Sequence, residues 1–386
     1  MSEGPEAVVV GGGLAGVAAA VTVARAGLRT LHLAPKGPPD RRTSALMGPS
    51  VDFLLEAGLI SDPAALGHPL TQIRIIDATS RLVRAPETLF DSREAGLQAF
   101  GWNFANIGLL EAFEAARSRL TNLDTRELAL SAIERTSDGW QLTLVDGSVV
   151  VAPLVVGSDG KKSLVRVAAD FRAREHGFTE AALVCDLELG RPIGGTSVEF
   201  HYEHGPFTLV PAGGSRANLV WIDDRDVLKA AQASGPDALR QTLIDKSQRL
   251  FGDITLSTPA HMFLLSTLTV ARAGLDGVVL AGEAAHAFPP IGAQGLNLGL
   301  RDVADLAAAL RGVDRSQPGW AVAVSEDYAR RRAHDLDRTG SLVDTLFRSL
   351  LSDFLPAQAL RAGGLWALRS LPSFRKRAFA LGMGRA

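Results

Sequence analysis

The sequence predicts an α/β protein: a discontinuous, Rossmann-like nucleotide-binding domain, interrupted by a domain containing an antiparallel sheet and followed by a helical C-terminal segment. Three observations carry that expectation. The chain opens with an apolar run, three glycines and an alanine-rich stretch, Ala7 to Ala26, the start of a βαβ unit. Buried-strand texture returns at Leu154–Val156 and at Gly277–Ala281. Between them, from about Ala181 to Trp221, short β-branched and aromatic runs alternate with Gly and Pro turns, the pattern of antiparallel pairing.

In chain order, Ala7–Val10 reads as a buried parallel strand, because both of its faces are apolar. Leu14–Ala26 reads as a helix closed by Gly27, and Thr30–Leu33 as the next strand. Thr43–Ala57 is expected to be a helix stopped by Gly58, Ile73–Ala85 strands, and Leu109–Leu120 a helix. Trp140–Val145 and Ser148–Val151 flank Asp146-Gly147, a strong hairpin signal. Ala182–Leu189, Ser197–Tyr202, Phe207–Val210 and Ala217–Ile222 are the strands of the inserted sheet, with Phe200, Phe207 and Trp221 assigned to its core. Asn297–Arg311 is a long helix, and the segment after Ser341 is helical, apolar and arginine-bearing. The expected division is 1–70, 97–172 and 270–340 for the nucleotide domain, 71–96 and 173–269 for a substrate domain, and 341–386 for the C-terminal segment.

At 386 residues the chain exceeds one ordinary domain, which fits this division. A 46% hydrophobic content supplies a large core, and a net charge of −2 leaves no basic face for bulk nucleic-acid binding. The single Cys185 excludes an intrachain disulfide framework and fits a reducing compartment. Ala7 to Ala24 carries no charge. Glycines interrupt it and no basic segment precedes it, so it reads as strand, turn and helix rather than as a signal or membrane segment. The expected location is the cytoplasm.

Three segments carry chemistry. In Gly11-Gly12-Gly13-Leu14-Ala15-Gly16, Gly11 permits the tight turn and Gly13 a close approach of backbone to a pyrophosphate. Gly16 lets helix and strand pack closely, and the helix N-terminus offers free N–H groups. An acid ordinarily ends the second strand, about 20 residues on, to hold a ribose hydroxyl; Ala34 stands there. The second segment, Asp159-Gly160-Lys161-Lys162-Ser163-Leu164-Val165-Arg166, follows a buried strand. Alone it reads equally as a turn and helix cap. The third runs from Val278 through Gly282-Glu283 and His286 to Pro289, Gly292, Gly295 and Gly299. Glu283 is a carboxylate poised for a sugar hydroxyl, and the turn from Gly292 to Asn297 exposes N–H groups able to stabilise negative charge.

In this order and spacing the three segments resemble the single-component FAD monooxygenases built like para-hydroxybenzoate hydroxylase, and most closely the ubiquinone-biosynthesis hydroxylases. Arg42–Leu46, Gly295–Val303 and the tail glycines Gly382 and Gly384 add to the likeness. The resemblance implies an FAD-binding domain with FAD bound, NAD(P)H as transient co-substrate, and O2-dependent hydroxylation of a hydrophobic phenol, a polyprenylated ubiquinone precursor. By position Gly11, Gly13, Leu14, Ala15 and Gly16 meet the FAD pyrophosphate, and Arg42 lies near the cofactor. Asp159 and Gly160 match the family's Asp-Gly motif, which touches the pyrophosphate and the nicotinamide route. Gly282 and Glu283 match a Gly-Asp motif, glutamate replacing the usual aspartate. Pro289 and Gly292 belong to the loop that follows, in which Ala293 replaces a frequent glycine. Gly295, Leu296 and Asn297 face the flavin pyrimidine ring. No side chain is assigned as catalytic, since the flavin C4a carries the chemistry. The alternatives are a hydroxylase of another aromatic substrate, or a non-catalytic FAD-binding subunit of a biosynthetic complex.

His286 reads as a structural histidine. No second histidine or cysteine stands at ligand spacing, so no metal site is expected. Ser158 and Ser163 lack a nucleophile elbow. The tail sets Leu365, Trp366, Leu368, Leu371 and Phe374 among Arg361, Arg369, Arg375, Lys376 and Arg377. It reads first as a packed helix. The second reading is a basic amphipathic surface for peripheral association with the inner membrane face or with a complex.

Overall fold

The computed structural model describes residues 4–80, 84–290 and 294–351, with side chains up to residue 336. A six-stranded sheet runs Gly274–Leu275, Val278–Leu280, Leu154–Gly157, Ala7–Val10, Thr30–Leu33, Leu123–Arg126. All its pairings are parallel except that of the edge strand Gly274–Leu275. Val8 and Val9 are wholly buried, which is why this strand shows no polar alternation. From Ala7–Val10 the chain moves outward to Thr30–Leu33, while Leu154–Gly157 pairs on the other side. That reversal leaves a crevice at the carboxyl ends of the strands, where α/β sheets bind ligands.

The second large sheet has nine strands, centred on the long strand Ala173–Leu189. One face carries Leu183, Phe200, Phe207, Leu219 and Trp221, packed with Leu228, Leu239 and Leu243 of the helices Arg225–Ala233 and Pro236–Lys246. The Phe200 and Phe207 rings meet edge to face with centroids 5.9 Å apart, as aromatic quadrupoles favour. The opposite face holds Ala182, Ile222 and Leu265 with Val184 and Val220 against them. The expected antiparallel sheet is in fact mixed, because Gln72–Asp77 joins Thr196–Tyr202 in parallel.

The expected helix Thr43–Ala57 is corrected. Thr43–Met47 is a strand paired with Gly101–Ala105, and only Gly48–Glu56 is helical. Pro49 stands in the first turn, where a missing N–H costs nothing. The later helices run Asn106–Arg117 and Gln294–Arg311, each beginning three residues before its expected start. The hairpin at Asp146-Gly147 forms, with Gly147 at φ 84°. The final helix, Trp320–Leu351, extends past the last described side chains. Among the described residues no helix is long and apolar enough to cross a membrane.

His32, wholly buried in the second strand, ties that strand to the glycine turn: Nε2 lies 2.9 Å from the Gly11 carbonyl. A carbonyl only accepts, so Nε2–H donates. Burial pushes the His32 pKa down from 6.5 to about 4, against the Gly11 bond, which raises it. The folded state therefore binds fewer protons than the unfolded one between these values. The contribution is complete above pH 6.5 and is lost as pH falls toward 4, a span worth about 3 kcal/mol. His32→Gln, which keeps an N–H donor, should flatten the urea-denaturation stability profile over this window. A profile as steep as the parent's would assign the dependence to other groups.

Candidate functional site

Three loops leave the carboxyl ends of adjacent parallel strands and press together. A Cβ on Gly11 would lie 2.1 Å from the Ser158 carbonyl oxygen, and one on Gly16 would lie 2.0 Å from that of Gly11. Gly11 also has φ 129°, which side chains disfavour. A Cβ on Gly282 would meet the Cβ of Ala15 at 3.0 Å. Beside Gly13, by contrast, an added Cβ meets nothing within 4 Å. Gly13 caps the helix Leu14–Arg25 without a side-chain bond, and no acid stands in the first turn. The first N–H groups are left for an anion, with the helix dipole behind them.

The second loop uses its carboxylate internally. Asp159 accepts from the Ser163 hydroxyl and from the Leu164 and Val165 N–H groups, while Ser163 Oγ accepts from Arg166 N–H at 2.9 Å. The aspartate therefore shapes the turn and caps the following helix. The open space beside Gly160, at φ 81°, is what the turn presents outward. Arg166, buried, clasps this loop to the third: its guanidinium donates to the Lys161 carbonyl at 2.6 Å and to that of Ala284 at 2.9 Å.

Under the third loop lies a buried charge cluster that sequence reasoning did not assemble. Asp302 Oδ2 accepts from Gly282 N–H at 2.8 Å and contacts His286 Nε2 at 2.6 Å, and Asp302 Oδ1 lies 2.7 Å from Arg332 Nε. Arg332 also meets Asp305 and Asp335 at 2.8 and 2.7 Å. Burial alone would raise the Asp302 pKa. The fields of His286 and Arg332 and the bonds from His286 and Gly282 outweigh burial and hold it below the ordinary range. Tyr328 donates to the Leu280 carbonyl at 2.7 Å, so the last long helix grips both the strand and its turn. His286 is structural, as expected. Asp302 sits inside the Gly295–Val303 stretch, but nothing local in the sequence marks Arg332 or Tyr328.

Arg42 forms a two-pronged pair with Asp40, at 2.8 and 2.9 Å. This bonding raises the Arg42 pKa above its ordinary value against burial, with the charges of Asp40 and Glu283 adding to it. Arg42 and the exposed Glu283 thus share one field at the mouth of the site. Asn106 links Asp40 to Ser44. The Asn297 side chain donates to the Ala45 carbonyl at 2.8 Å and accepts from Met47 N–H and Ser50 Oγ at 2.9 and 2.7 Å. Its amide clamps the strand–helix junction, leaving only backbone to face a ring. Leu296 packs on the core, Pro289 is buried, and a Cβ on Gly295 would meet nothing within 4 Å. Gly292 and Ala293 lie outside the described residues.

An uncapped helix N-terminus behind a glycine turn fits a pyrophosphate, and the open spaces beside Gly13, Gly160 and Gly295 form a cradle that side chains would fill. Fold and site together define a dinucleotide-binding α/β protein. A family model described as FAD binding domain matches residues 5–334, and the chain belongs to that family. It is 30% identical to ubiquinone hydroxylase UbiL of Rhodospirillum rubrum, across 96% of this chain and 87% of that one. It is 26% identical to the 3-demethoxyubiquinol 3-hydroxylase of Escherichia coli, across 98% of each. The p-nitrophenol 4-monooxygenase PnpA of Pseudomonas putida has the same fold, with TM-score 0.79 at 19% identity over 100% of this chain and 98% of that one. The protein is an FAD-dependent oxidoreductase of the aromatic monooxygenase class.

Two expectations follow. Gly13→Ala should change the stability of the flavin-free protein by less than about 1 kcal/mol, yet weaken FAD binding at least about tenfold, because the methyl occupies cofactor space. Gly16→Ala, forced against the Gly11 carbonyl, should destabilise the fold itself. Calorimetry beside flavin-fluorescence titration separates them, and undiminished FAD affinity in Gly13→Ala would remove this loop from the site. Separately, Asp302→Ala leaves Arg332 buried without the anion beside its Nε and should cost about 3–5 kcal/mol in urea unfolding. A loss under about 1 kcal/mol would show that Asp305 and Asp335 suffice.

Proposed function

We propose that this protein hydroxylates the ring of a polyprenylated phenol on the way to ubiquinone, using NAD(P)H and O2. The observation that carries the reading is the 30% identity with a ubiquinone hydroxylase along 96% of the chain. FAD, when bound, supplies electron transfer from NAD(P)H to dioxygen and delivery of one oxygen atom to the ring.

The remaining roles belong to the chain. The N–H groups after Gly13 would hold the pyrophosphate, Arg42 would lie near the cofactor, and Glu283 would offer its carboxylate to a sugar hydroxyl. The backbone from Gly295 to Asn297 would stabilise charge on the pyrimidine ring. Residues 1–70, 97–172 and 270–340 form the FAD domain, and 71–96 and 173–269 the substrate domain. Separate apolar cores around Val8 and around Trp221 support that division. The sheet face with Ala182, Val184, Val220, Ile222 and Leu265 is apolar, suited to roof a hydrophobic ring and exclude water. Peripheral association with a membrane or complex belongs to the same reading, since such a substrate is barely soluble. The basic tail residues it invokes lie outside the described residues.

A strain lacking the protein should lose ubiquinone and accumulate a phenolic precursor, and the purified FAD-loaded protein should consume O2 with NAD(P)H. Replacing Arg375, Lys376 and Arg377 with glutamine should lower ubiquinone in cells more than NAD(P)H oxidation in vitro, each charge contributing about 1 kcal/mol near an anionic surface. Undisturbed ubiquinone in the deletion strain would move the enzyme to another aromatic substrate. FAD binding without any NAD(P)H oxidation would favour a non-catalytic subunit.

A further inference from the structure

The strand Thr30–Leu33 ends where a ribose-binding acid ordinarily stands, and Ala34 offers no polar side chain there. The neighbouring strand makes up the deficit. Leu33 pairs with Arg126 in parallel register, and Ala34 N–H donates to the Arg126 carbonyl at 2.9 Å. Glu127 is therefore the first residue past that pairing, level with Ala34 and one strand spacing away, about 4.8 Å. Ala34 itself lies against the glycine turn, since a Cβ on Gly12 would stand 3.4 Å from its Cα. The Glu127 carboxylate is exposed, and Lys36, on the segment leaving the second strand, holds its Oε2 at 2.8 Å. That contact leaves Oε1 without an ion-pair partner among the described residues. Other acids nearby are differently engaged: Asp40 is taken by Arg42 and Asn106, Asp124 faces Arg126, and Glu114, also within the field of Lys36, faces Arg117.

We propose that Glu127, oriented by Lys36, supplies the carboxylate that binds the ribose hydroxyls of the FAD adenosine, in place of the acid absent at position 34. A carboxylate accepts charge-assisted bonds from vicinal hydroxyls. The lysine contact limits the rotamers of the carboxylate. The inference rests on FAD as the bound dinucleotide and is independent of which ring is hydroxylated.

The test is equilibrium binding to the flavin-free full-length protein, with FAD and with FMN, which lacks the adenosine. No NAD(P)H, oxygen chemistry or substrate enters, so failure of the hydroxylase reading would leave the result intact. Glu127→Ala should weaken FAD binding about tenfold or more and leave FMN binding within about twofold. Lys36→Met should weaken FAD in the same direction by a smaller factor. Adding Ala34→Glu to Glu127→Ala should recover most of the loss by restoring an acid to the second strand. Unchanged FAD affinity in Glu127→Ala, or a loss that FMN shares equally, would overturn the assignment.

Discussion

Between Gly11 and Ser158 the two central parallel strands deliver their main chains into contact closer than any Cβ allows, and Gly16 brings the following helix equally close to Gly11. Side chains at these points would push the helix away from the sheet edge and move its free N–H groups with it. The anion site is thus a consequence of backbone meeting backbone. What packing removes at Gly11 and Gly16 it leaves open at Gly13. His32 holds the Gly11 carbonyl from beneath while burial keeps it neutral, which makes a buried histidine part of the same constraint.

The third loop is held by the opposite means. Asp302 and Arg332 are both buried, and removing such charges from water costs several kcal/mol per ion before their attraction offsets it. A cluster of this kind is weak evidence for stability, since apolar residues would fill the space as well. Its geometry is better explained by position. Asp302 spends one oxygen on the Gly282 N–H and the other beside Arg332. It thereby fixes a turn at φ 62° that presents Glu283 outward.

Much of this was legible in sequence because it depends on local pattern. Valine runs buried on both faces, glycine turns at strand ends and the Asp146-Gly147 hairpin all announce themselves without tertiary knowledge. The misread segment, Thr43–Met47, contains Ser44, Ala45 and Leu46, which do not resist a helix. Pairing with Gly101–Ala105 decided it, and that partner is far away in the chain. The parallel entry of Gln72–Asp77 into the second sheet was hidden for the same reason. At the site, residue types were legible but side-chain directions were not. Asp159 and Asn297 sit where motif reasoning puts them, yet both turn inward to hold the protein's own backbone. Arg332 acts at a distance in sequence with no spacing rule to reveal it.

The two sheets are not joined by a free hinge. The third segment leaves the nucleotide sheet at Leu280, makes the Gly282 turn, and within seven residues places His286 and Ala287 in register with Thr269 and Leu268 of the second sheet. The second loop makes the same crossing with a side chain: Lys161 reaches Glu175 at 2.6 Å and the Ser266 hydroxyl, while Arg166 clasps the third loop at Ala284. A displacement of the second sheet would have to break ladder bonds or stretch a span already taken up by the turn. The apolar face carrying Val220 and Ile222 therefore keeps a fixed distance from the glycine loops at the ends of the parallel strands.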